Sequence, residues 1–150
     1  MEDITYESLS TEEKQLIDAA ESATQKSYSP QSGTATGVAL RTKSGELILG
    51  TNYEVPARDS LCAEQAALGN ANLQGHKEFT SMAIIAKRDK ETVPPITPCG
   101  QCRQYLAEAV QRQGQDFPIL LASADKKIVR KTSVTELLPF PFLETNDRIE

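Results

Sequence analysis

Apolar residues along this chain switch between helical and strand spacing, and the switches mark out its elements. Ser10 to Glu13 forms a Ser-x-x-Glu capping box. Leu16, Ile17, Ala20 and Ala23 then recur at helical spacing, which predicts a first helix to about Ser27. Ser29-Pro30-Gln31-Ser32-Gly33 breaks it. Gly37–Thr42 and Glu46–Glu54 read as two strands around a Lys43-Ser44-Gly45 turn, hence a hairpin. Val55–Ser60, with Pro56, is a loop. Ala63, Ala66, Ala67, Leu68 and Ala71 predict a second helix ending near Gly75.

Met82–Ala86, inside Thr80–Lys87, is an apolar run of buried-strand length. After a loop with Pro94 and Pro95, a third helix starts at Pro98 or Cys99, where proline costs no hydrogen bond. It runs through Tyr105, Leu106, Ala109 and Val110 to about Gln113. Phe117–Ser123 is a second apolar strand, and Ala124–Lys127 is too short for a crossover, so Ile128–Lys131 pairs antiparallel with it. Val134–Leu138 is a brief last helix before Pro139-Phe140-Pro141-Phe142. The order α-β-β-α-β-α-β-β-α predicts an α/β fold, a three-layer α/β/α sandwich on a mixed five-stranded sheet whose fourth and fifth strands are antiparallel. The starts of helices two and three then fall side by side at one end of the sheet.

Length and charge narrow the function. A chain of 150 residues fits one domain, 1–150, with a substantial core. A net charge of −5 disfavours a nucleic-acid backbone as main partner and is compatible with a small neutral ligand. No apolar run approaches the ~20 residues of a membrane span, and Met1-Glu2-Asp3 is acidic where a signal peptide is basic, so a cytoplasmic protein is expected. Three cysteines, two of them three residues apart, suit a metal or redox site better than a disulfide framework.

Those cysteines sit at two predicted helix starts, in Leu61-Cys62-Ala63-Glu64-Gln65 and in Pro98-Cys99-Gly100-Gln101-Cys102-Arg103-Gln104. Cys99 and Cys102 share one face of a first helical turn. Cys62 brought beside them completes three soft ligands of the kind zinc prefers, with one tetrahedral position open. Helix N-termini favour the thiolates, and Glu64 is a carboxylate placed to handle protons there. Two competing readings are weaker. A Cys-Gly-x-Cys redox pair leaves Cys62-Ala63-Glu64 unexplained. His76 as a fourth ligand of a structural zinc lies about twelve residues, or roughly 18 Å, along the second helix from Cys62, and reads better as a solvated loop residue.

Cys62-Ala63-Glu64 followed by Pro98-Cys99-Gly100-Gln101-Cys102-Arg103-Gln104 resembles the zinc-dependent cytidine deaminases, and the likeness extends from Ser27-Tyr28-Ser29-Pro30 to Glu136-Leu137-Leu138-Pro139. The resemblance implies a cytidine deaminase-like fold with one zinc per chain on Cys62, Cys99 and Cys102. It makes Glu64 the proton shuttle in hydrolytic loss of the amino group at C4 of a pyrimidine. Asn52 and Glu54, on one face of a strand end, read from spacing either as solvated or as ligand contacts. The resemblance makes them contacts to ribose hydroxyls, with backbone amides around Ala63 holding the pyrimidine carbonyl. It also implies a free-nucleoside substrate in pyrimidine nucleoside salvage. The expected assembly is a homotetramer in which neighbours complete each site, with Phe140 or Phe142 as the contributed ring.

Three departures bear on the substrate. Family members carry an aromatic residue near the start of the first hairpin strand, where this chain has Ser29-Pro30-Gln31-Ser32-Gly33-Thr34; Thr34 stands as a candidate contact instead. Gln65 replaces the arginine that often follows the catalytic glutamate, leaving Arg103 or the helix ends to offset the cluster's charge. Val55-Pro56-Ala57-Arg58-Asp59-Ser60-Leu61 replaces the usual loop, and Arg58 and Asp59 line a differently shaped mouth. Blasticidin-S deaminase, a relative that also lacks that arginine, is the alternative substrate reading, and a non-catalytic zinc- or ligand-binding protein on the same scaffold is a third.

Overall fold

A computed structural model of the chain describes residues 1–143. Helix α1 (Thr11–Thr24) begins at the expected box: the Glu13 amide donates to the Ser10 hydroxyl and the Ser10 amide to the Glu13 carboxylate. It stops at Thr24 rather than Ser27. There the Thr24 hydroxyl turns back to donate to the Glu21 carbonyl.

The strands are β1 (Glu2–Ile4), β2 (Thr34–Thr42), β3 (Leu47–Thr51), β4 (Phe79–Arg88), β5 (Pro118–Ala122) and β6 (Val129–Ser133), with helices α2 (Ala63–Leu73), α3 (Gly100–Gln113) and α4 (Val134–Leu137) between or after them. They form one six-stranded sheet in the order β1-β6-β5-β4-β2-β3, not the predicted five-stranded one. The extra strand, β1, pairs antiparallel with β6 and sets Asp3 opposite Arg130, whose guanidinium holds its carboxylate. Three residues with one apolar side chain carry no period, and the pairing exists only because β6 offers an open edge. The two strands joined by the Ala124–Lys127 turn are therefore β5 and β6, and they are antiparallel, while β4 and β5 run parallel. The second hairpin strand ends at Thr51 instead of Glu54. Beyond it the chain keeps extended backbone only through single bridges of Tyr53 to Tyr28 and to Leu61.

Alternation along the central strands fills both faces. Val38, Leu40, Ile84, Ile119 and Leu121 pack with Ala63, Ala67, Ala71, Leu106 and Val134 of α2, α3 and α4. Ala39, Ala83, Ile85, Leu120 and Ala122 face Leu16, Ile17 and Ala20 of α1. Three layers result, as the pattern predicts. β3 and β4 are both antiparallel to β2, so β3-α2-β4 and β4-α3-β5 are parallel crossovers, and the starts of α2 and α3 emerge at the same end of the sheet.

Candidate active site

Cys62 and Cys99 are the N-cap residues of α2 and α3, each with extended backbone. A cap residue projects beside the first, unpaired amides of its helix, so both sulfurs lie where the helix dipole favours negative charge. The Cys102 amide donates to Cys99 Sγ at 3.5 Å. The Cys62 side chain takes no part in capping. The Sγ atoms of Cys62, Cys99 and Cys102 all lie within 4.8 Å of one another. Thiolates bound at about 2.3 Å to one tetrahedral zinc sit just under ~4 Å apart, so the triad fits that ion with little movement.

Glu64, on the first turn of α2, is 5 % exposed, and the Cys102 thiol donates to its Oε2 at 3.6 Å. Burial pushes the Glu64 carboxyl up, against the pull of its own amide and the Cys102 thiol. Burial also raises the Cys102 thiol, and the charges of Glu64 and Cys62 push it the same way. Cys62 is raised as well, first by burial, whereas at Cys99 the cost of burial is outweighed by the Cys102 amide together with hydrogen bonds from the Cys102 and Cys62 thiols, leaving that thiol lowered. Crowding two thiols and a carboxyl out of water disfavours anions unless a cation joins them. A divalent metal reverses the balance, so the donor set fits zinc on charge as well as on distance.

Arg103 does not meet the sulfurs. Its Nε donates to the Pro98 carbonyl at 2.8 Å, Nη1 to the Leu137 carbonyl at 3.1 Å and Nη2 to Thr97 Oγ1 at 3.1 Å, which ties the β4–α3 loop and the end of α4 to the cysteine helix. Gln65 offers the sulfurs no bond either, its buried Nε2 having no partner among the described residues. Of the two ways proposed to offset the cluster's charge, the helix ends remain.

Asn52 and Glu54 lie past the end of β3, and each already has work to do. Asn52 Oδ1 accepts from Ser27 Oγ at 2.6 Å and from the Thr36 amide at 2.9 Å, while Nδ2 donates to the Thr34 carbonyl at 3.0 Å. Among the described residues, one N–H of that amide is left over. Glu54, 9 % exposed, accepts from the Ser32 amide at 3.2 Å and from Ser32 Oγ at 3.0 Å. Ser27 and Ser32 orient these two side chains, a role the sequence did not assign them, although Ser27 opens the Ser27-Tyr28-Ser29-Pro30 stretch of the family likeness. Ser32 sits in the turn stretch ahead of β2, a weak signal of its own.

Thr34 opens β2, and its hydroxyl accepts from Arg88 Nε at 2.9 Å. Arg58 is exposed in the loop before Leu61. Phe140 and Phe142 are 92 % and 74 % exposed, so neither caps the core. His76 is not the solvated residue expected: its Nε2 pairs with Glu46 at 2.9 Å. It belongs to the turn ending α2, far from the cysteines in sequence and fold, as the length of that helix requires.

Residues 10–113 match the family described as the cytidine and deoxycytidylate deaminase zinc-binding region. A cytidine deaminase of Halalkalibacterium halodurans is 34 % identical over 128 residues, covering 85 % of this chain and 91 % of that protein. A blasticidin-S deaminase of Bacillus cereus is 29 % identical over 111 residues, or 71 % of this chain and 75 % of the relative. The crystal structure of cytidine deaminase from Burkholderia pseudomallei superposes with a TM-score of 0.77 at 33 % identity, covering 89 % of this chain and 100 % of that one. The matched region takes in both helix starts that carry the cysteines, and on that extent this chain belongs to the cytidine and deoxycytidylate deaminase zinc-binding family.

Proposed function

We propose that this protein deaminates cytidine or deoxycytidine hydrolytically, taking up water and giving the uridine product and ammonia. The observation that carries the reading is the packing of Glu64 Oε2 at 3.6 Å from Cys102 Sγ, inside a triad of sulfurs all within 4.8 Å of one another. Cys62, Cys99 and Cys102 hold the zinc, which when bound supplies a Lewis acid that readies water for attack at neutral pH. Glu64 moves the protons. Its carboxylate takes one from the attacking water and hands it to N3 of the pyrimidine, then takes the second and delivers it to the departing amino nitrogen. Its buried place beside Cys102 holds the carboxyl at the cluster where those protons move.

The leftover N–H of Asn52 and the remaining lone pairs of Glu54 meet ribose hydroxyls, one donating and one accepting. The unpaired amides at the start of α2, around Ala63, hold the pyrimidine carbonyl. Thr34 and Arg58 border the mouth. The functional assembly is a homotetramer in which the tail of a neighbour, with Phe142 or Phe140, completes each site. Support for assembly comes from the cavity of about 430 Å³ between α2 and α3, lined by Leu68, Phe79, Tyr105 and Ala109, with Leu73 86 % exposed on α2. A cytoplasmic location belongs to the same reading, supported by thiol ligands that must stay reduced.

The test is the absorbance change of zinc-loaded protein incubated with cytidine and, separately, with deoxycytidine. Turnover of either is expected, and turnover of neither refutes the reading. The blasticidin-S reading has its own support in the Bacillus cereus relative and in Gln65, and turnover of that antibiotic without turnover of either nucleoside would establish it.

A further inference from the structure

Gln104 follows the metal-ligand turn of α3, and its side-chain amide grips the backbone of one residue in the C-terminal segment. Nε2 donates to the Phe142 carbonyl at 2.6 Å and Oε1 accepts from the Phe142 amide at 3.1 Å. A side chain that takes both the N–H and the C=O of one residue copies a bridge between neighbouring strands, and so sets which way that residue's side chain projects. Pro139 and Pro141 lack amide donors and confine their own backbones, which leaves the segment few other ways to fasten itself. What this grip presents is a phenylalanine ring 74 % exposed. Phe140, 92 % exposed, lacks the two-point hold that Gln104 gives Phe142.

We infer that Gln104 is a positioning residue for substrate binding: it fixes Phe142 so that this ring, rather than Phe140, is the one delivered to the site of a neighbouring copy. The inference rests on the deaminase and homotetramer reading above. Three consecutive residues divide the work. Cys102 turns to the metal cluster, Arg103 holds the Leu137 carbonyl and the loop before Cys99, and Gln104 holds the tail. The ring is thereby referred to the same helix that carries the metal ligand, so that where the tail points depends on where α3 stands.

Wild type, Gln104→Ala, Gln104→Glu, Phe142→Ala and the double variant of Gln104→Ala with Phe142→Ala test it, each zinc-loaded and checked for assembly state. Gln104→Ala is expected to raise KM for the nucleoside about five- to tenfold, the scale of a lost aromatic contact. It should change kcat less than about twofold, keep the wild type's zinc content and speed hydrogen exchange at the Phe142 amide. Phe142→Ala should show the same rise, and the double variant should be no worse than Phe142→Ala, because one residue acts through the other. Gln104→Glu keeps the acceptor for the Phe142 amide and loses the donor, so it should fall between wild type and Gln104→Ala. Co-expressing Glu64→Gln with Phe142→Ala subunits should restore the low KM at the sites that keep Glu64, because they receive a ring from the neighbour. An unchanged KM in Gln104→Ala, additive effects in the double variant, or no recovery on co-expression overturns the inference. The two readings fail separately. A wild type that turns over no cytosine nucleoside sinks the deaminase reading, whereas exchange at the Phe142 amide unaltered by Gln104→Ala sinks the clamp whatever the activity.

Discussion

Gly50 of β3 faces the first turn of α2, and a methyl group there has nowhere to go. A Cβ built on it stands 2.2 Å from the Ala63 carbonyl oxygen, 2.5 Å from the Ala67 nitrogen and 2.8 Å from the Ala67 Cβ. Normal contact begins near ~3.4 Å, so Gly50→Ala must drive the strand and the helix start apart by about 1 Å. The obstacles are mostly backbone, which cannot rotate aside. Overpacking of this kind costs roughly 1–3 kcal/mol, part of it returned by the stiffer unfolded chain of the alanine variant, so a net loss of about 1–2 kcal/mol is expected. For a chain of this length that lowers Tm by about 2–8 °C. Because Ala63 directly follows Cys62, the shift also carries one sulfur and Glu64 away from Cys99 and Cys102, and a displacement of that size costs about 10²-fold in rate. Gly37→Ala is the control. Its Cβ would stand 1.9 Å from the Ala20 carbonyl oxygen, on the α1 face of the sheet, remote from the cysteines. Urea unfolding should show both variants destabilised, whereas competition with a zinc chelator and kcat/KM should single out Gly50→Ala. Equal metal affinity and activity in the two variants would refute the idea that β3 sets the position of α2's first turn.

Replacing Glu64 by Gln should lower kcat at least ~10²-fold with the zinc content unchanged; a nearly active variant would remove Glu64 from proton transfer, and one with unchanged ligand affinity and no wild-type turnover to compare would favour a binding protein. Stripping the metal with a chelator should lower Tm, and zinc should restore it, because binding to the folded triad adds to folding free energy; an unchanged Tm would show that the sulfurs do not hold the ion. Burial alone would raise the Glu21 carboxyl, but hydrogen bonds from the Lys126 and Lys87 ammonium groups outweigh it and leave the group below its ordinary 4.5. Its stabilising effect is therefore complete above that ordinary value and fades as pH falls through the lowered one. Acid titration of Tm should be shallower in Glu21→Gln across that window, and identical slopes would count against the network.

What the sequence determined by itself is local. The Ser10–Glu13 box, the helical spacing in α1, α2 and α3, and the apolar runs of β4 and β5 each follow from hydrogen bonds and burial patterns within a few residues, so they can be read without a partner strand in view. The chemical proposal was legible too, because cap positions put Cys62, Cys99 and Glu64 at helix starts, and parallel crossovers bring those starts to one end of the sheet. Tertiary structure decided the rest. β1 forms because β6 has a free edge, not because Glu2–Ile4 prefers extension. The side chain of Asn52 is bound to Ser27 and to the backbone of Thr34 and Thr36, Arg103 is drawn to Pro98 and Leu137, and Gln104 holds Phe142 38 residues away. Such partners are chosen by which unpaired donors and acceptors the fold leaves within about 3 Å of each other, and spacing along the chain carries no record of that distance.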